Sequence, residues 1–277
     1  MKHLRERDED ADYTKVHKEA ERIDRRDRII LKNEEERSVF EEVFDRRTLM
    51  KLYDLANRKA FSYLNGVVSS GKEARVYWGV REDKSSVAVK IYLVASSDFK
   101  KRAQYVVGDP RFTRFSRDSR GIAELWARKE FTNLEQAYIA GVRVPRPETF
   151  LGNVLVMQFI GEEGVHAPQL VDSEVTKKDY LEIVRQTKIL YRDAGLVHAD
   201  LSEFNIFKHH EEVILFDFGS AVSTAHPMAQ EFLSRDVLNL NRFFSKRGIT
   251  TLPDEKVVNS IRGHIAKREE ELPSGVF

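Results

Sequence analysis

Residues 198–205 read His-Ala-Asp-Leu-Ser-Glu-Phe-Asn, and residues 216–219 read Phe-Asp-Phe-Gly. Phosphoryl transfer needs a carboxylate close to the attacking hydroxyl and oxygen ligands that hold magnesium on the phosphates. Asp200 can act as the catalytic base, while Asn205 and Asp217 can bind the metal. Either motif alone could be a set of turn carboxylates. Both in this order match the H-R-D-x-x-x-x-N and D-F-G pattern of protein kinases, with alanine where arginine is usual.

A second motif lies upstream, where residues 87–90 read Val-Ala-Val-Lys. This matches the V-A-I-K strand whose lysine contacts the α- and β-phosphates of the nucleotide, although a lysine that ends a strand can also be a solvated edge residue. Its expected partner is a glutamate on the next predicted helix. We predict that Lys90 pairs with Glu130, and Glu124 and Glu135 on the same helix are the alternatives.

The glycine-containing segment before that strand needs a separate interpretation. Residues 66–73 fit G-x-x-x-x-G-K, but glutamate follows the lysine where a P-loop NTPase needs serine or threonine, and the next residues alternate like a strand. We therefore predict a turn over 69–74 between two strands that cover the ATP phosphates. Its backbone amides, the hydroxyls of Ser69 and Ser70, and Lys72 are the predicted nucleotide contacts. An ordinary hairpin turn is the alternative.

Composition limits the classes of protein that are possible. The 277 residues carry a net charge of only +1 and include no cysteine, which excludes disulfides, thiolate metal sites and cysteine catalysis. The longest apolar runs have the length of a strand, and the charged start does not resemble a secretory signal. We therefore expect a soluble cytoplasmic protein with no membrane partner.

Three parts are predicted along the chain. Residues 1–60 form a charged helical N-terminal extension. Residues 61–160 form a strand-rich N-lobe with one helix and a flexible basic loop over 95–120. Residues 161–277 form a mostly helical C-lobe, in which 161–168 is read as a linker. The predicted fold is α+β and bilobal, because a strand-rich part with one helix followed by a mostly helical part is the layout of a protein kinase.

Several motifs together resemble the RIO family of atypical serine protein kinases, in its first subfamily. They are Ser-Ser-Gly-Lys-Glu-Ala at 69–74, Leu-Val-His-Ala-Asp-Leu-Ser-Glu-Phe-Asn at 196–205, and His-Pro-Met-Ala at 226–229 leading into Arg-Asp-Val at 235–237. The resemblance covers roughly residues 47–246. It implies a trimmed bilobal protein-kinase-like fold that lacks an activation segment and a substrate-binding lobe. The sequence agrees with this, since helix-forming residues follow soon after the D-F-G motif and no A-P-E motif follows it. The resemblance further implies serine autophosphorylation, ATPase activity, and a role in maturing the small ribosomal subunit.

The resemblance also implies roles for individual residues. Lys90 would contact the nucleotide and Asp200 would be the base. Asn205 and Asp217 would bind magnesium, for which manganese is a possible substitute. Asp217 would also be a candidate acceptor of a transient phosphoryl group.

Further assignments rest on the same likeness. Gln158 and Ile160 would offer their backbone to adenine from the hinge. Asp236 would brace the catalytic loop, with a charge on the helix surface as the alternative. Ser116 and Ser119 in the basic loop are candidates for autophosphorylation.

The sequence leaves rival functions open. One is an ATPase switch on pre-small-ribosomal-subunit particles and their RNA, with no physiological protein substrate. Another is a small-molecule phosphotransferase of the aminoglycoside type, although little chain remains after residue 217 for its substrate-binding insert. A third is an inactive binding module, against which the complete set of catalytic residue types counts.

Overall fold

The computed structural model describes residues 44–94 and 103–263. The helices in these ranges are α1 (Arg46–Asn57), α2 (Ser119–Ile139), α3 (Lys177–Arg192), α4 (Ala229–Lys246) and α5 (Asp254–Arg262). The strands are β1 (Tyr63–Ser70), β2 (Ala74–Val80), β3 (Ser86–Tyr92), β4 (Pro147–Leu151), β5 (Val154–Gln158), β6 (Gly161–Glu162), β7 (Val165–His166), β8 (Leu196–Val197), β9 (Ile206–His209), β10 (Glu212–Leu215) and β11 (Val222–Ser223). Short 3-10 turns lie at Pro110–Phe112 and Leu170–Asp172.

The first lobe is built on a five-stranded antiparallel sheet in the order β1-β2-β3-β5-β4. Its central strand β3 is buried along its length after Ser86, as expected for a run of β-branched and apolar residues covered on both faces. Helix α2 packs against strands β3, β4 and β5, and its residues Trp126 and Leu134 are buried. Gly141, with φ of +86°, takes the left-handed conformation just beyond the end of this helix, as its position in the sequence predicts.

Helix α1 belongs to the same packed unit. Asp45 caps its N-terminus by accepting hydrogen bonds from the backbone N–H groups of Arg47 and Thr48. Leu52 and Leu55 are buried in one apolar cluster with residues of β1, β2, β3 and β5. Residues 44–60 therefore pack with the sheet, whereas the rest of the predicted N-terminal extension lies outside the described residues.

The second lobe is mainly helical. Thr176 and Asp179 form a reciprocal capping box that begins α3, and α5 packs against both α3 and α4. The segment 161–168, predicted as a linker, instead forms the short hairpin β6–β7. That prediction was wrong because two-residue strands carry no alternation that a sequence pattern can detect.

The connection after the D-F-G motif is short, since α4 begins at Ala229, ten residues after Gly219. The α+β, bilobal kinase-like prediction without an activation segment is confirmed by this layout. No helix in the described part of the chain is long and apolar enough to cross a membrane.

The basic loop predicted over 95–120 divides into two parts. Residues 95–102 lie outside the described residues. After them, Tyr105, Val106 and Phe112 are buried against α2 and α4, so residues 103–112 are packed. Ser119 is the first residue of α2 and not a loop serine, because Asp118 caps the helix through the backbone N–H of Gly121.

Candidate active site

An ion cluster joins the two lobes at the sheet; Lys90 and Glu130 are buried and Asp217 is partly exposed. The ammonium of Lys90, on β3, lies 2.8 Å from the Glu130 carboxylate on α2 and 3.0 Å from Asp217 Oδ1. The hydroxyl of Tyr92 donates to Oε2 of Glu130. Of the alternative partners, Glu124 binds Lys51 at 2.5 Å instead. The pairing of Lys90 with Glu130 is therefore the one that the fold produces.

The charge state of Lys90 follows from its neighbours. Burial alone lowers the pKa of this lysine, but the carboxylates of Asp217 and Glu130 outweigh burial and raise the pKa above its ordinary value. The side chain is therefore a fixed positive charge at neutral pH. Such a charge at the wall of a cleft is suited to bind the phosphates of a nucleotide.

Side chains of α4 hold the backbone of the loop that carries Asp200. The two oxygens of the Asp236 carboxylate accept the backbone N–H groups of Ala199 at 2.8 Å and Leu201 at 2.9 Å, which flank Asp200 on both sides. The Arg235 guanidinium donates to the carbonyl of Ala199. Asp236 is fully buried, so it braces the loop and is not a charge on the helix surface.

The backbone has an unusual conformation at Asp217 and at Ala199, the residue before Asp200. Ala199 and Asp217 have φ of +64° and +62°, in the left-handed region that non-glycine residues rarely adopt. The loop is also tied together internally, because the amide nitrogen of Asn205 donates to the carbonyl of Asp200 at 2.7 Å. Since the side-chain nitrogen of Asn205 is engaged in this bond, its side-chain oxygen Oδ1 is the atom that Asn205 can offer to a cation.

His198 connects the loop that carries Asp200 to Phe216, the residue before Asp217. Its Nε2 lies 3.0 Å from the carbonyl oxygen of Phe216, and because a carbonyl can only accept, Nε2 is the nitrogen that donates. Burial lowers the pKa of His198. This histidine is therefore a neutral structural link between the two motifs.

A cavity of about 470 Å³ opens between the lobes beside this cluster. The sequence-predicted residues that line it are Ser69, Lys72, Lys90, Glu130, Gln158, Ile160 and Asp217. Ser70, Asp200 and Asn205 are not among its lining residues. Asp200 and Asn205 share the loop 198–205, which His198 ties to Phe216, one residue before Asp217.

The predicted phosphate-binding turn is shorter than the sequence indicated. Ser69 and Ser70 are the last residues of β1, paired with Val76 and Arg75 of β2. Gly71 closes the turn by donating its N–H to the carbonyl of Ala74 at 3.0 Å. Because successive side chains of a strand point to opposite faces, Ser69 reaches the cavity and Ser70 does not.

Two buried polar residues of α2 were missed by the sequence reasoning. The ammonium of Lys129 donates to the carbonyls of Gly219, at 3.0 Å, and Ala221. One helical turn further on, the Asn133 amide donates to the carbonyls of Phe218 at 2.9 Å and Ala221 at 2.8 Å. The spacing i, i+4 was the available signal, since it places both side chains on one helix face. Helix α2 thus fixes the backbone that directly follows Asp217.

The chain is similar to known proteins. A family model for the RIO domain, RIO1, matches residues 75–257. The RIO-type serine/threonine-protein kinase Rio1 of Haloferax volcanii is 40% identical over 238 residues, which cover 83% of this chain and 82% of that protein. The serine/threonine-protein kinase rio1 of Dictyostelium discoideum is 36% identical over 241 residues, which cover 85% of this chain and 42% of that protein.

Among solved structures, the Rio2 kinase–ADP/Mg²⁺–phosphoaspartate complex from Chaetomium thermophilum has a TM-score of 0.59. It is 24% identical in sequence, and the match covers 76% of this chain and 65% of that one, so it supports the fold alone. The sequence relatives show more, because the family match contains the strand of Lys90 and both motifs that carry Asp200, Asn205 and Asp217. The chain therefore belongs to the RIO family of atypical serine/threonine protein kinases, in its Rio1-type branch.

Proposed function

We propose that this kinase transfers the γ-phosphoryl group of magnesium-ATP to serine hydroxyls, including its own, during maturation of the small ribosomal subunit. The observation that carries the phosphoryl transfer is the contact of Lys90 with both Glu130 and Asp217 at the wall of the interlobe cavity. The same arrangement of lysine, glutamate and metal-binding aspartate is required for transfer in protein kinases.

The residues present suit magnesium. Asn205 offers an amide oxygen and Asp217 a carboxylate, which are the hard oxygen ligands that magnesium prefers. When bound, the ion supplies positive charge that neutralises the phosphate oxygens. Manganese accepts oxygen ligands of the same kind and is proposed as a substitute.

Each remaining residue has a separate task in the proposed mechanism. Lys90 binds and orients the phosphates. Asp200 orients the serine hydroxyl and accepts its proton as the new oxygen–phosphorus bond forms and the bond to ADP breaks. Asp236 keeps Asp200 in place through the two flanking backbone N–H groups. Fixed positioning of this kind is the main contribution that a protein makes to phosphoryl transfer.

The hinge is proposed to bind adenine through its backbone. The N–H of Gln158 already donates to the carbonyl of Arg146, and the carbonyl of Ile160 already accepts from the N–H of Ala167. We therefore assign the carbonyl of Gln158 and the N–H of Ile160 to the adenine. A backbone contact of this kind tolerates glutamine where glutamate is common.

A second candidate function is an ATPase switch on pre-ribosomal particles, in which Asp217 takes the phosphoryl group and water then releases it. The related Rio2 kinase has been crystallised as a phosphoaspartate complex with ADP and magnesium, and the Asp217 side chain is 38% exposed beside the cavity. An aspartyl phosphate is hydrolysed in acid treatment that phosphoserine survives, so the two functions are separable.

The test is transfer of radiolabelled γ-phosphate from magnesium-ATP to the purified full chain. Acid-stable label on serine, lost in Asp200→Ala and Asp217→Asn but kept in Ser202→Ala, is the expected result. Release of free phosphate with only labile label on the protein would instead establish the ATPase switch. Label that survives in both aspartate variants would refute the proposed site.

The phosphorylated serine and the ribosomal role are each tested by a separate measurement. Ser116 and Ser119 are both exposed next to the start of α2, so mapping of phosphopeptides should find label at one of them, and Ser116→Ala tests the first. The ribosomal role rests on the family resemblance. Co-sedimentation with small-subunit precursor particles, in the presence of ATP or ADP, tests it directly, and a cytoplasmic location stays a prediction.

A further inference from the structure

Three side chains of types that commonly ligate metals lie close together just after the hinge. They are Glu162 on β6 and the consecutive histidines His209 and His210, at the end of β9 and in the turn after it. One ligand atom from each lies within 4.8 Å of the others. His210 Nε2 and Glu162 Oε1 are 3.5 Å apart.

The backbone explains how two consecutive histidines face the same point. His209 pairs with Glu212, so the β9–β10 hairpin is closed by the two-residue turn of His210 and Glu211. Both turn residues have positive φ, +46° and +62°, which is the type I′ geometry usually given to asparagine and glycine. Consecutive side chains of a strand would point apart, but this turn brings the imidazole centroids of His209 and His210 within 3.9 Å.

We propose that Glu162, His209 and His210 form a binding site for a divalent cation of the zinc class. Imidazole nitrogens and a carboxylate are typical zinc ligands, with bonds of about 2.0–2.2 Å, which place tetrahedral ligands about 3.3–3.5 Å apart. The separation of His210 from Glu162 already has this value. Magnesium prefers oxygen ligands and does not suit this set.

The site would tie two parts of the molecule together. Glu162 follows the hinge by two residues, and β9 carries Phe207, which lines the nucleotide cavity together with Ile160. A cation held by Glu162 and the two histidines joins the hinge hairpin β6–β7 to the hairpin β9–β10. Binding of this kind is independent of phosphoryl transfer, and it stabilises the folded protein because the three ligands are brought together only in the fold.

The test measures zinc binding by the untagged, EDTA-stripped full chain in competition with a chromophoric chelator. The variant His210→Asn removes one ligand and keeps the turn, because asparagine tolerates positive φ. Glu162→Gln removes the carboxylate from another strand, and Glu163→Gln is the matched control on the neighbouring residue. Histidines elsewhere in the chain bind equally in all four proteins, so the comparison reports only this site.

We expect the wild type and Glu163→Gln to bind one more equivalent of zinc than His210→Asn, and Glu162→Gln to bind that equivalent at least about tenfold more weakly. Zinc should also raise the thermal midpoint of the wild type more than that of His210→Asn. Equal stoichiometry and affinity in the wild type, His210→Asn and Glu162→Gln would overturn the proposal. The proposal would also be overturned if the control Glu163→Gln lost the same equivalent of zinc as His210→Asn.

Discussion

Replacing Asp236 with alanine removes the only described acceptor of two buried backbone N–H groups, those of Ala199 and Leu201. A buried donor left without a partner costs about 1–3 kcal/mol, which gives about 2–6 kcal/mol for the pair. The alanine variant also avoids the free-energy cost of burying a carboxyl group, which offsets part of this loss. We therefore expect Asp236→Ala to lower the free energy of unfolding by about 2–4 kcal/mol, and the thermal midpoint by roughly 5–15 °C.

The size of this loss should depend on pH. Burial raises the pKa of Asp236 to about 7, against the opposing effect of the N–H groups of Leu201 and Ala199, whereas an aspartate in the unfolded chain titrates at about 3.9. The folded wild type therefore holds an extra proton between these two values. Its stability falls as pH rises through this window, because the folded state is then the one that binds more protons.

Urea unfolding of the wild type and of Asp236→Ala at pH 5, 6, 7 and 8 tests both parts. We expect the difference in unfolding free energy to be larger at pH 5 than at pH 8. Asp236→Asn, which keeps one acceptor oxygen, should lose less stability than the alanine variant. A difference in unfolding free energy that grows with pH would show that the hydrogen bonds from the two N–H groups lower the pKa of Asp236 more than burial raises it. Equal unfolding free energies of the two proteins at every pH would refute the bracing role of Asp236.

Two further variants test the surroundings of Asp217. Glu130→Gln removes one of the two carboxylates that hold Lys90, so the KM for ATP should rise about tenfold or more in initial-rate assays; Glu124→Gln on the same helix is the control and should leave it unchanged. Lys129→Met keeps the length of the side chain but leaves the Gly219 carbonyl without its ammonium donor. It should reduce the unfolding free energy by about 1–3 kcal/mol in urea and lower kcat; full stability and rate would contradict the clamping role.

The sequence predicted the site best where chemistry is concentrated in short motifs. Lys90, Asp200, Asn205 and Asp217 were singled out because phosphoryl transfer requires these residue types at fixed spacings. The fold brings Lys90 against Asp217, and the roles of the four residues stay predictions. The partner of Lys90 was also predicted correctly. Three glutamates on α2 were possible, however, and only the packed helix decides that Glu130 faces the sheet.

Features that depend on packing were harder to predict. Lys129 and Asn133 look like ordinary polar helix residues until the segment 218–221 lies against that face of α2. Ser69 lines the cavity and Ser70 does not, because strand pairing places alternate side chains on opposite faces of the sheet. Residues 103–112 have apolar anchors without periodicity, so their burial follows from tertiary contacts that no local pattern encodes.

The most direct test of the central claim is the single-turnover rate of phosphoryl transfer in Asp200→Ala, measured together with the dissociation constant for ATP. Loss of a general base should lower the rate about 10²–10⁴-fold, while ATP binding stays near the wild-type value because Asp200 does not line the cavity proposed to hold ATP. Ser202→Ala, in the same loop, should retain both properties. A rate in Asp200→Ala close to that of the wild type would contradict the proposed mechanism.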